Sequence, residues 1–374
     1  MGGFMKNINH LKLGDLVNFQ TGPFGTQFSA SEYTKEGIPV INVKDIGFGN
    51  ILTANIEHVS EQTRDRLSQH ILKEEDIVFG RKGSIDRHAF ITNKETGWVQ
   101  GSDCIRARAK TNIDMLFLSQ YLESKHVKKQ LMNSAVGSTM ASLNTDILKD
   151  IVVFLPDISE QHKISRVLKT LDDKILLNNQ INDNLEALAK LIYMNFFFNR
   201  TPNGLLSDII HEYPKSQVQV NEAKCSNGRF PFFTSGNGIL AWDSFFVDDR
   251  NCYINTGGNV GIRFYVGKAA YSTDTWCITA KYNLADYLYL LLKAIQHEID
   301  IKYFTGTGLK HLQKPILKER PIYVPVEDEI ILFNKLIQPY FDMISRNTCE
   351  SQRLQDVRNS LLPLLINGQA VIGD

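Results

Sequence analysis

The sequence lacks the motifs by which most enzymes that act on nucleic acids are recognised. Its 374 residues contain no Pro-Pro pair, which excludes the Pro-Pro motif of amino-methyltransferases. No Gly-x4-Gly-Lys-Ser/Thr loop occurs, which excludes a Walker ATPase site. The nine histidines form no His-x3-His pair. We therefore expect a chain that is not an enzyme and that binds no cofactor or metal.

Paired cysteines and long hydrophobic runs are also missing. The five cysteines show no Cys-x2-Cys spacing, which argues against a zinc site and favours free thiols in a reducing cytoplasm. No stretch is long enough to span a membrane, and the N-terminus lacks the features of a signal peptide. We expect a soluble, cytoplasmic protein of two or three domains with no membrane partner.

Net charge is absent as well, because 41 basic residues balance 41 acidic ones. The overall charge therefore does not point to nucleic acid. The charge is uneven, however: residues 81–110 hold seven Lys or Arg and three Asp or Glu, a net of +4 (7 − 3). A run of this kind is usually only a solvated surface, so by itself it is a weak indication of DNA binding.

The most informative feature present is an internal repeat. The sequence ILKDIVVFLP at residues 147–156 returns as ILKERPIYVP at residues 316–325, an offset of 169 (316 − 147). The same offset carries Gly137 onto Gly306 and Leu143 onto Leu312. A helical pattern follows each copy. The repeat predicts an α+β protein with two globular α/β domains in tandem, separated by two long antiparallel coiled-coil helices.

The predicted boundaries follow from this repeat. We place the first globular domain at 1–157, the central helix at 158–200, the second globular domain at 201–327 and the C-terminal helix at 328–367. In the first domain, β-branched and aromatic residues between turn signals predict strands at 39–43, 76–79, 89–92 and 151–155. A helical apolar rhythm predicts a helix at 115–132.

Both long helices carry residues at alternating spacings of four and three, which is the pattern of a coiled-coil seam. The seam of the first helix consists of Ile164, Leu168, Leu171, Ile175, Asn178, Asn182, Leu185, Ala189 and Ile192. The seam of the second helix consists of Phe333, Ile337, Tyr340, Ile344, Asn347, Ser351, Leu354, Arg358 and Leu361.

Polar residues interrupt the two seams at equivalent places, Asn178/Asn182 and Asn347/Ser351. Such residues fix register, so we expect the helices to pack antiparallel with these polar positions in contact; the alternative is two unrelated defects.

Pro339 predicts a kink or break in the second helix. At the start of the first helix we expect Ser159 to be the N-cap. Pro156-Asp157 with Glu160 and Lys163 is similar to a nuclease pattern, but the spacing from acid to lysine is wrong and capping fits better.

Two families of loops recur at matching places in the two domains. The first comprises residues 81–84 and 255–259, and the second comprises 137–144 and 305–311. Each loop alone is commonly a plain turn, but recurrence in two divergent domains favours a function. Arg and Lys can read guanine and Asn can read adenine, while Ser and Thr hydroxyls suit phosphates. The candidate DNA-binding residues are Arg81, Lys82, Ser84, Arg87, Ser138, Thr139, Asn144, Asn255, Thr256, Asn259, Arg263, Thr307, Lys310 and His311.

Taken together, these features resemble the specificity (S) subunits of type I restriction-modification systems. The resemblance rests on KLGDL at 12–16, GPFG at 22–25, IPVI at 38–41, GSI at 83–85 and LPDISEQ at 155–161. A degenerate copy of the last motif, VPVEDEI, stands at 324–330. The motifs cover nearly the whole chain.

The resemblance implies that each globular domain is a target-recognition domain that reads one half of a bipartite double-stranded DNA target. The coiled-coil helices would act as a ruler and as docking sites for two modification (methyltransferase) subunits. Restriction subunits, which are ATP-dependent translocase-nucleases, would join that complex. S-adenosylmethionine, ATP and magnesium would belong to these partners. Because the loops of the two domains differ, we expect an asymmetric target.

Two other interpretations stay open at this point. The chain could be a stand-alone enzyme that acts on DNA, which predicts methyl transfer by the purified chain alone. It could also be a helical scaffold whose globular domains bind protein, which predicts DNA binding without sequence preference or none at all.

Overall fold

The structure is a computed structural model that describes residues 9–83, 85–134, 142–226, 228–236, 238–370 and 372. The candidate residues Ser84, Ser138 and Thr139 lie outside the described residues. The chain divides into two compact units. Unit 1 comprises Met1–Asp173 with Gln355–Asp374, and unit 2 comprises Lys174–Leu354.

Unit 1 combines short strands and short helices. Its strands are β1 (Asn9–Lys12), β2 (Val17–Thr21), β3 (Tyr33–Thr34), β4 (Ile38–Ile41), β5 (Phe48–Gly49), β6 (Glu57–Val59), β7 (Ile77–Gly80), β8 (His88–Phe90), β9 (Val99–Gln100), β10 (Cys104–Ala109) and β11 (Val152–Leu155). Its short helices are α1 (Leu13–Leu16), α2 (Glu61–Arg66), α3 (Met115–Leu122), α4 (Lys125–Ser134) and α5 (Thr145–Lys149). The central sheet has the order β2-β10-β7-β8-β5, a second sheet has the order β3-β6-β4-β9, and β1 pairs with β11.

The four predicted strands of unit 1 are confirmed, as β4, β7, β8 and β11. All four residues of β7 are buried, so its apolar run marks a central strand covered on both faces. The predicted helix at 115–132 is two helices, α3 and α4. The break falls at Glu123 and Ser124, where the Ser124 hydroxyl accepts a hydrogen bond from Val127 N at 3.4 Å and so begins α4.

Two helices of 40 residues follow the repeated motifs, α6 (Ile158–Phe197) and α12 (Glu327–Ile366). Every predicted seam residue on them is buried or partly buried. In unit 1, Ile164 and Leu168 share a core with Leu362 and Leu365, which is an antiparallel pairing. The same pairing holds in unit 2, where the shared core of the two helices includes Ala189, Tyr193, Phe197, Phe333, Ile337 and Phe341.

The polar positions of the two seams meet, as the sequence predicts. In unit 2, Asn347 Nδ2 donates to Asn182 Oδ1 at 2.9 Å. Asn178 Nδ2 donates to Glu350 Oε2 at 2.8 Å and to Ser351 Oγ at 3.3 Å. Because a shift of either helix would leave these amides without partners, the contacts fix one register of the antiparallel pair.

Two details of the long helices differ from expectation. Helix α12 runs through Pro339 without a break. Pro339 and Lys335, whose carbonyl loses its helical donor, both lie on the exposed face, where water can satisfy that carbonyl. The N-cap of α6 is Asp157 and not Ser159, because Asp157 Oδ1 accepts from Glu160 N at 3.0 Å.

Unit 2 repeats the plan of unit 1 with longer strands. Its strands are β12 (Gly204–Leu205), β13 (Ile210–Glu212), β14 (Phe230–Phe233), β15 (Ile239–Trp242), β16 (Val247–Asn255), β17 (Ile262–Tyr271), β18 (Thr275–Ala280), β19 (Phe304–Thr305), β20 (His311–Leu312) and β21 (Pro321–Ile322). Its short helices are α7 (Leu206–Ile209), α8 (Val220–Ala223), α9 (Ala285–Ala294), α10 (Gln296–Lys302) and α11 (Lys314–Lys318).

The sheet orders of the two units correspond. The order β13-β18-β16-β17 in unit 2 matches β2-β10-β7-β8 in unit 1, and β12 pairs with β21 as β1 pairs with β11. The long strand β17 corresponds to both β8 and β9 of unit 1. It pairs antiparallel with β16 as β8 pairs with β7, and it pairs in parallel with β14 as β9 pairs with β4. The α+β class is therefore confirmed, with two α/β domains in tandem and two long antiparallel helices.

Candidate nucleic-acid interface

Each unit brings its two loop families together. In unit 1, Lys82 forms an isolated β-bridge with Ser142, and Leu143 N donates to Arg81 O at 2.8 Å. In unit 2, Gly257 forms the equivalent bridge with His311. Leu312 N there donates to Thr256 O at 3.0 Å. The loops that recur in the sequence thus form one cluster in each unit, held by main-chain hydrogen bonds.

The tip of each cluster is a glycine in the left-handed region. Gly83 has φ 81° and Gly258 has φ 79°. An L-residue is strained at such values, so glycine is required by the turn. A Cβ added at either position would meet no atom of the described residues within 4 Å.

A third element, a tight turn that ends in aspartate, completes each cluster. Arg81 N donates to Asp103 O at 2.8 Å in unit 1, and Thr256 N donates to Asp274 O at 3.1 Å in unit 2. Neither aspartate was among the candidate residues predicted from the sequence. The sequence does contain an indication of them, because Ser102-Asp103 is followed 171 residues later (274 − 103) by the similar pair Thr273-Asp274.

In unit 1 the cluster is cationic and aromatic. The Arg81 guanidinium lies 4.7 Å from the centre of the Phe24 ring. Arg87 and Lys128 both lie over the exposed ring of Phe48, at 5.0 and 4.7 Å. Cations over aromatic faces are partly held in place while their charge stays accessible. Phe24, Phe48 and Lys128 were not among the sequence candidates.

Lys82 is an exposed cation of this cluster and lies next to an acidic side chain. Its Nζ lies 3.4 Å from Asp103 Oδ1, and the two side chains are 54% and 48% exposed. An ion pair this exposed contributes little to stability. The Lys82 ammonium is therefore free to exchange Asp103 for a phosphate.

In unit 2 the cluster borders an open cleft of about 550 Å³, lined by Ser235, Gly258, Asn259, Asp274 and His311 among others. Asn255 builds this cleft from below. Its side chain is buried, and Nδ2 donates to Ser235 O at 2.7 Å and to Asn259 O at 3.1 Å. A Cβ on Gly261 would lie 2.6 Å from Asn255 Nδ2, so glycine is needed for the amide to fit.

Two further candidates are also engaged within the protein. Arg263 donates to Gly238 O at 3.3 Å and to Thr234 O. Burial lowers the pKa of the Arg263 guanidinium. Asn144 caps α5, because its Oδ1 accepts from Asp146 N at 3.0 Å and from Ile147 N at 2.8 Å. These contacts support the loops that carry Arg263 and Asn144.

The other candidates of unit 2 reach the surface. Asn259, Thr307, Lys310 and His311 are exposed, and Thr256 is partly buried. Lys310 Nζ lies 3.6 Å from Asp300 Oδ1, with both side chains about half exposed. This pair is as weak as Lys82–Asp103, so Lys310 is equally available to an anion.

The described part of the chain contains no group of three or more His, Cys, Asp or Glu residues that could hold a metal ion. Among the same residues, no helix is long and apolar enough to cross a membrane. Cys104, Cys252 and Cys277 are buried, and burial raises the pKa of each thiol, so these thiols stay protonated and unreactive.

Comparison with known proteins gives one consistent answer. The family described as type I restriction modification DNA specificity domain matches residues 5–187 and again residues 206–359. The MjaIX specificity subunit of Methanocaldococcus jannaschii is 23% identical over 90% of this chain and 88% of its own length. The HindI specificity subunit of Haemophilus influenzae is 27% identical over 88% of this chain and 93% of its own length.

Other relatives match in part or in fold only. The MjaVIII specificity subunit of M. jannaschii is 25% identical over 49% of this chain and 43% of its own length. The crystal structure of the type I S subunit from M. genitalium superimposes with a TM-score of 0.62 at 15% identity and 96% coverage of both chains, which establishes a shared fold. With two copies of the specificity domain over most of its length, the chain belongs to the family of type I restriction-modification specificity subunits, the noncatalytic components that recognise the DNA target.

Proposed function

We propose that the chain recognises a bipartite, asymmetric DNA sequence, with one loop cluster reading each half. The observation that carries this proposal is the recurrence of the same three-part cluster in both units with different side chains. In this arrangement residues 1–157 and 201–327 are the two target-recognition domains. Residues 158–200 and 328–367, the segments that contain most of helices α6 and α12, set the spacing between the half-sites.

The exposed and partly buried side chains of the clusters divide into base readers and phosphate contacts. Arg81 and Arg87 are suited to guanine edges and Asn259 to an adenine edge. Lys82, Lys310 and the Thr307 hydroxyl are suited to phosphates, which fix position and not sequence. The Thr256 hydroxyl already donates to Asp274 O at 3.0 Å and supports the loop. His311 borders the cleft and completes the second cluster. Asn144, Asn255 and Arg263 hold the loops that carry these residues.

The long helices are also proposed to dock two modification subunits, which the restriction subunits then join. In unit 2, helix α6 exposes Leu188 (48%) and Leu191 (66%), and helix α12 exposes Leu332 (54%) and Leu336 (42%). Exposed leucines in adjacent turns are typical of a surface that another protein covers. The seam residues face the other way, so the inner contacts of the helix pair and this outer surface do not compete.

The test is single-molecule methylome sequencing of cells that carry this chain with its methyltransferase, against cells that lack only this chain. A methylated motif of two different half-sites with a fixed gap, lost with the chain, is the expected result. Methylation that is unchanged without the chain, or a motif without a gap, contradicts the proposal. The purified chain with S-adenosylmethionine and DNA serves as the control, and it should transfer no methyl group.

A further inference from the structure

We infer that the Asp274 carboxylate reads the N4 amino group of a cytosine in the half-site bound by unit 2. This inference rests on the proposed DNA contact of the loop clusters and names one residue and one base within it. The role of Asp274 follows from its place in the cluster and from the lack of a cation beside it among the described residues.

The main chain holds Asp274 firmly within the cluster. It ends the turn between β17 and β18, where its carbonyl oxygen accepts from Thr256 N at 3.1 Å and from Thr256 Oγ1 at 3.0 Å. Its side chain is exposed and lines the open cleft beside His311 and the glycine tip. A carboxylate carried on a fixed main chain at a cleft wall can be aimed at one atom of a ligand.

The two units differ in what neutralises this aspartate. In unit 1, Asp103 has Lys82 at 3.4 Å. In unit 2 the position of Lys82 is taken by Gly257 and that of Arg81 by Thr256, since both loops bridge to the second loop family at that point. Across the described residues, the Asp274 carboxylate makes no ion pair and no side-chain hydrogen bond. It is therefore a free acceptor on the surface that faces DNA.

A free carboxylate there needs a donor from the DNA. Phosphates repel it, so an Asp274 that met only the backbone would weaken binding to every sequence. The major-groove edge of cytosine presents the N4 amino donor, and carboxylates accept from it. Adenine also presents an amino group, but its N7 acceptor lies beside it and would repel a carboxylate. The geometry and charge together select cytosine.

The decisive variant is Asp274→Asn, which keeps size and shape but adds a donor. An asparagine pairs with adenine N6 and N7. In the full restriction-modification complex in cells, the methylated motif should change at one position of one half-site, from cytosine towards adenine. The other half-site should stay unchanged. The matched variant Asp103→Asn acts on the other unit and should leave the half-site of unit 2 as it is.

His311→Ala separates the two ways in which this test can fail. If His311→Ala alters the half-site of unit 2 and Asp274→Asn does not, the inference on Asp274 is overturned while the proposed function stands. If neither variant alters any half-site, the proposed DNA contact of the cluster is itself overturned. A half-site of unit 2 that contains no G·C pair also overturns the inference.

A second measurement covers the case in which Asp274→Asn abolishes methylation altogether. The unaltered complex is assayed by gel shift on target DNA in which each cytosine of that half-site is replaced in turn by 2-pyrimidinone, which lacks only the amino group. At one position the affinity should fall about tenfold, the size expected for loss of one specific base contact. Equal affinity at every position contradicts the inference.

Discussion

The two loop clusters share a main-chain frame and differ in almost every side chain that reaches the surface. In unit 1 the frame carries Arg81 and Lys82 next to exposed aromatic rings. In unit 2 the same positions are Thr256 and Gly257, a cleft opens beside them, and no cation among the described residues pairs with Asp274. Position and specificity therefore have separate origins: backbone hydrogen bonds set where the cluster lies, and side chains set what it can bind.

The largest expected effect comes from breaking the interior of one unit. In unit 2, Arg250 donates two hydrogen bonds of 2.7 Å to Asp286, whose side chain is fully buried. Arg250→Ala leaves that carboxylate buried without a cation, which costs about 3–5 kcal/mol in the free energy of unfolding. Thermal unfolding and hydrogen exchange should show the loss within unit 2. Asp150→Asn, at an exposed ion pair of unit 1, is the control and should leave both unchanged.

We expect the stability of unit 1 to fall at acidic pH. His88 is buried, its Nε2 lies 2.8 Å from Ser119 Oγ, and burial lowers the pKa of its imidazole to about 4. Its unfolded pKa is about 6.5. The stability that depends on neutral His88 is complete above pH 6.5 and is lost as the pH falls towards 4, by about 3 kcal/mol in all.

Hydrogen exchange between pH 7 and pH 4 checks this prediction. Amides in the core of unit 1 should lose protection, and His88→Gln should remove most of that pH dependence. Equal loss in the variant and the unaltered chain would assign the acid sensitivity to the carboxylates instead.

A smaller effect is expected at one base of one half-site. Arg81→Ala removes a guanidinium suited to guanine and should relax the methylated motif at one position of the half-site of unit 1, by about 1–3 kcal/mol of discrimination. Methylome sequencing measures the relaxation. The half-site of unit 2 is the internal control, and a change there would contradict the assignment of Arg81 to one half-site.

The smallest effect should fall equally on all sequences. Lys82→Ala and Lys310→Ala each remove one accessible cation, one from each unit. Each should reduce the slope of log affinity against log salt by about one, for specific and unrelated DNA alike. Binding titrations of the assembled complex at several salt concentrations measure the slope. A loss restricted to the specific target would mean that the lysine reads a base.

Much of the fold could be predicted because its signals are periodic. The spacing of four and three gave both seams, and Asn182 and Asn347 meet because seam polarity constrains register. The break suggested by Pro339 is not found, because a proline on an exposed helix face leaves its orphaned carbonyl to water. Where apolar spacing does not mark the buried face of a helix, local sequence does not show whether a residue lies on the buried or the exposed face.

The site was harder to predict than the fold. The loop families were visible in the sequence, but the bridges that join them span 60 residues (142 − 82) in unit 1 and 54 (311 − 257) in unit 2. The engagement of Asn255 with two main-chain carbonyls depends on these long-range contacts, so its residue type alone suggested a base reader. Asp103 lies within residues 81–110, whose net charge is positive, so lysines and arginines of that segment were taken as candidates and Asp103 was not.

The support of the cleft by Asn255 and Arg263 has a consequence for how such a protein can change over time. Their partners are the carbonyls of Ser235, Asn259, Gly238 and Thr234, which every amino acid possesses. Substitutions at those four partner positions would therefore keep the supporting hydrogen bonds wherever the backbone conformation is preserved. Substitutions at the rim of the cleft can therefore change the DNA target while each intermediate sequence still folds.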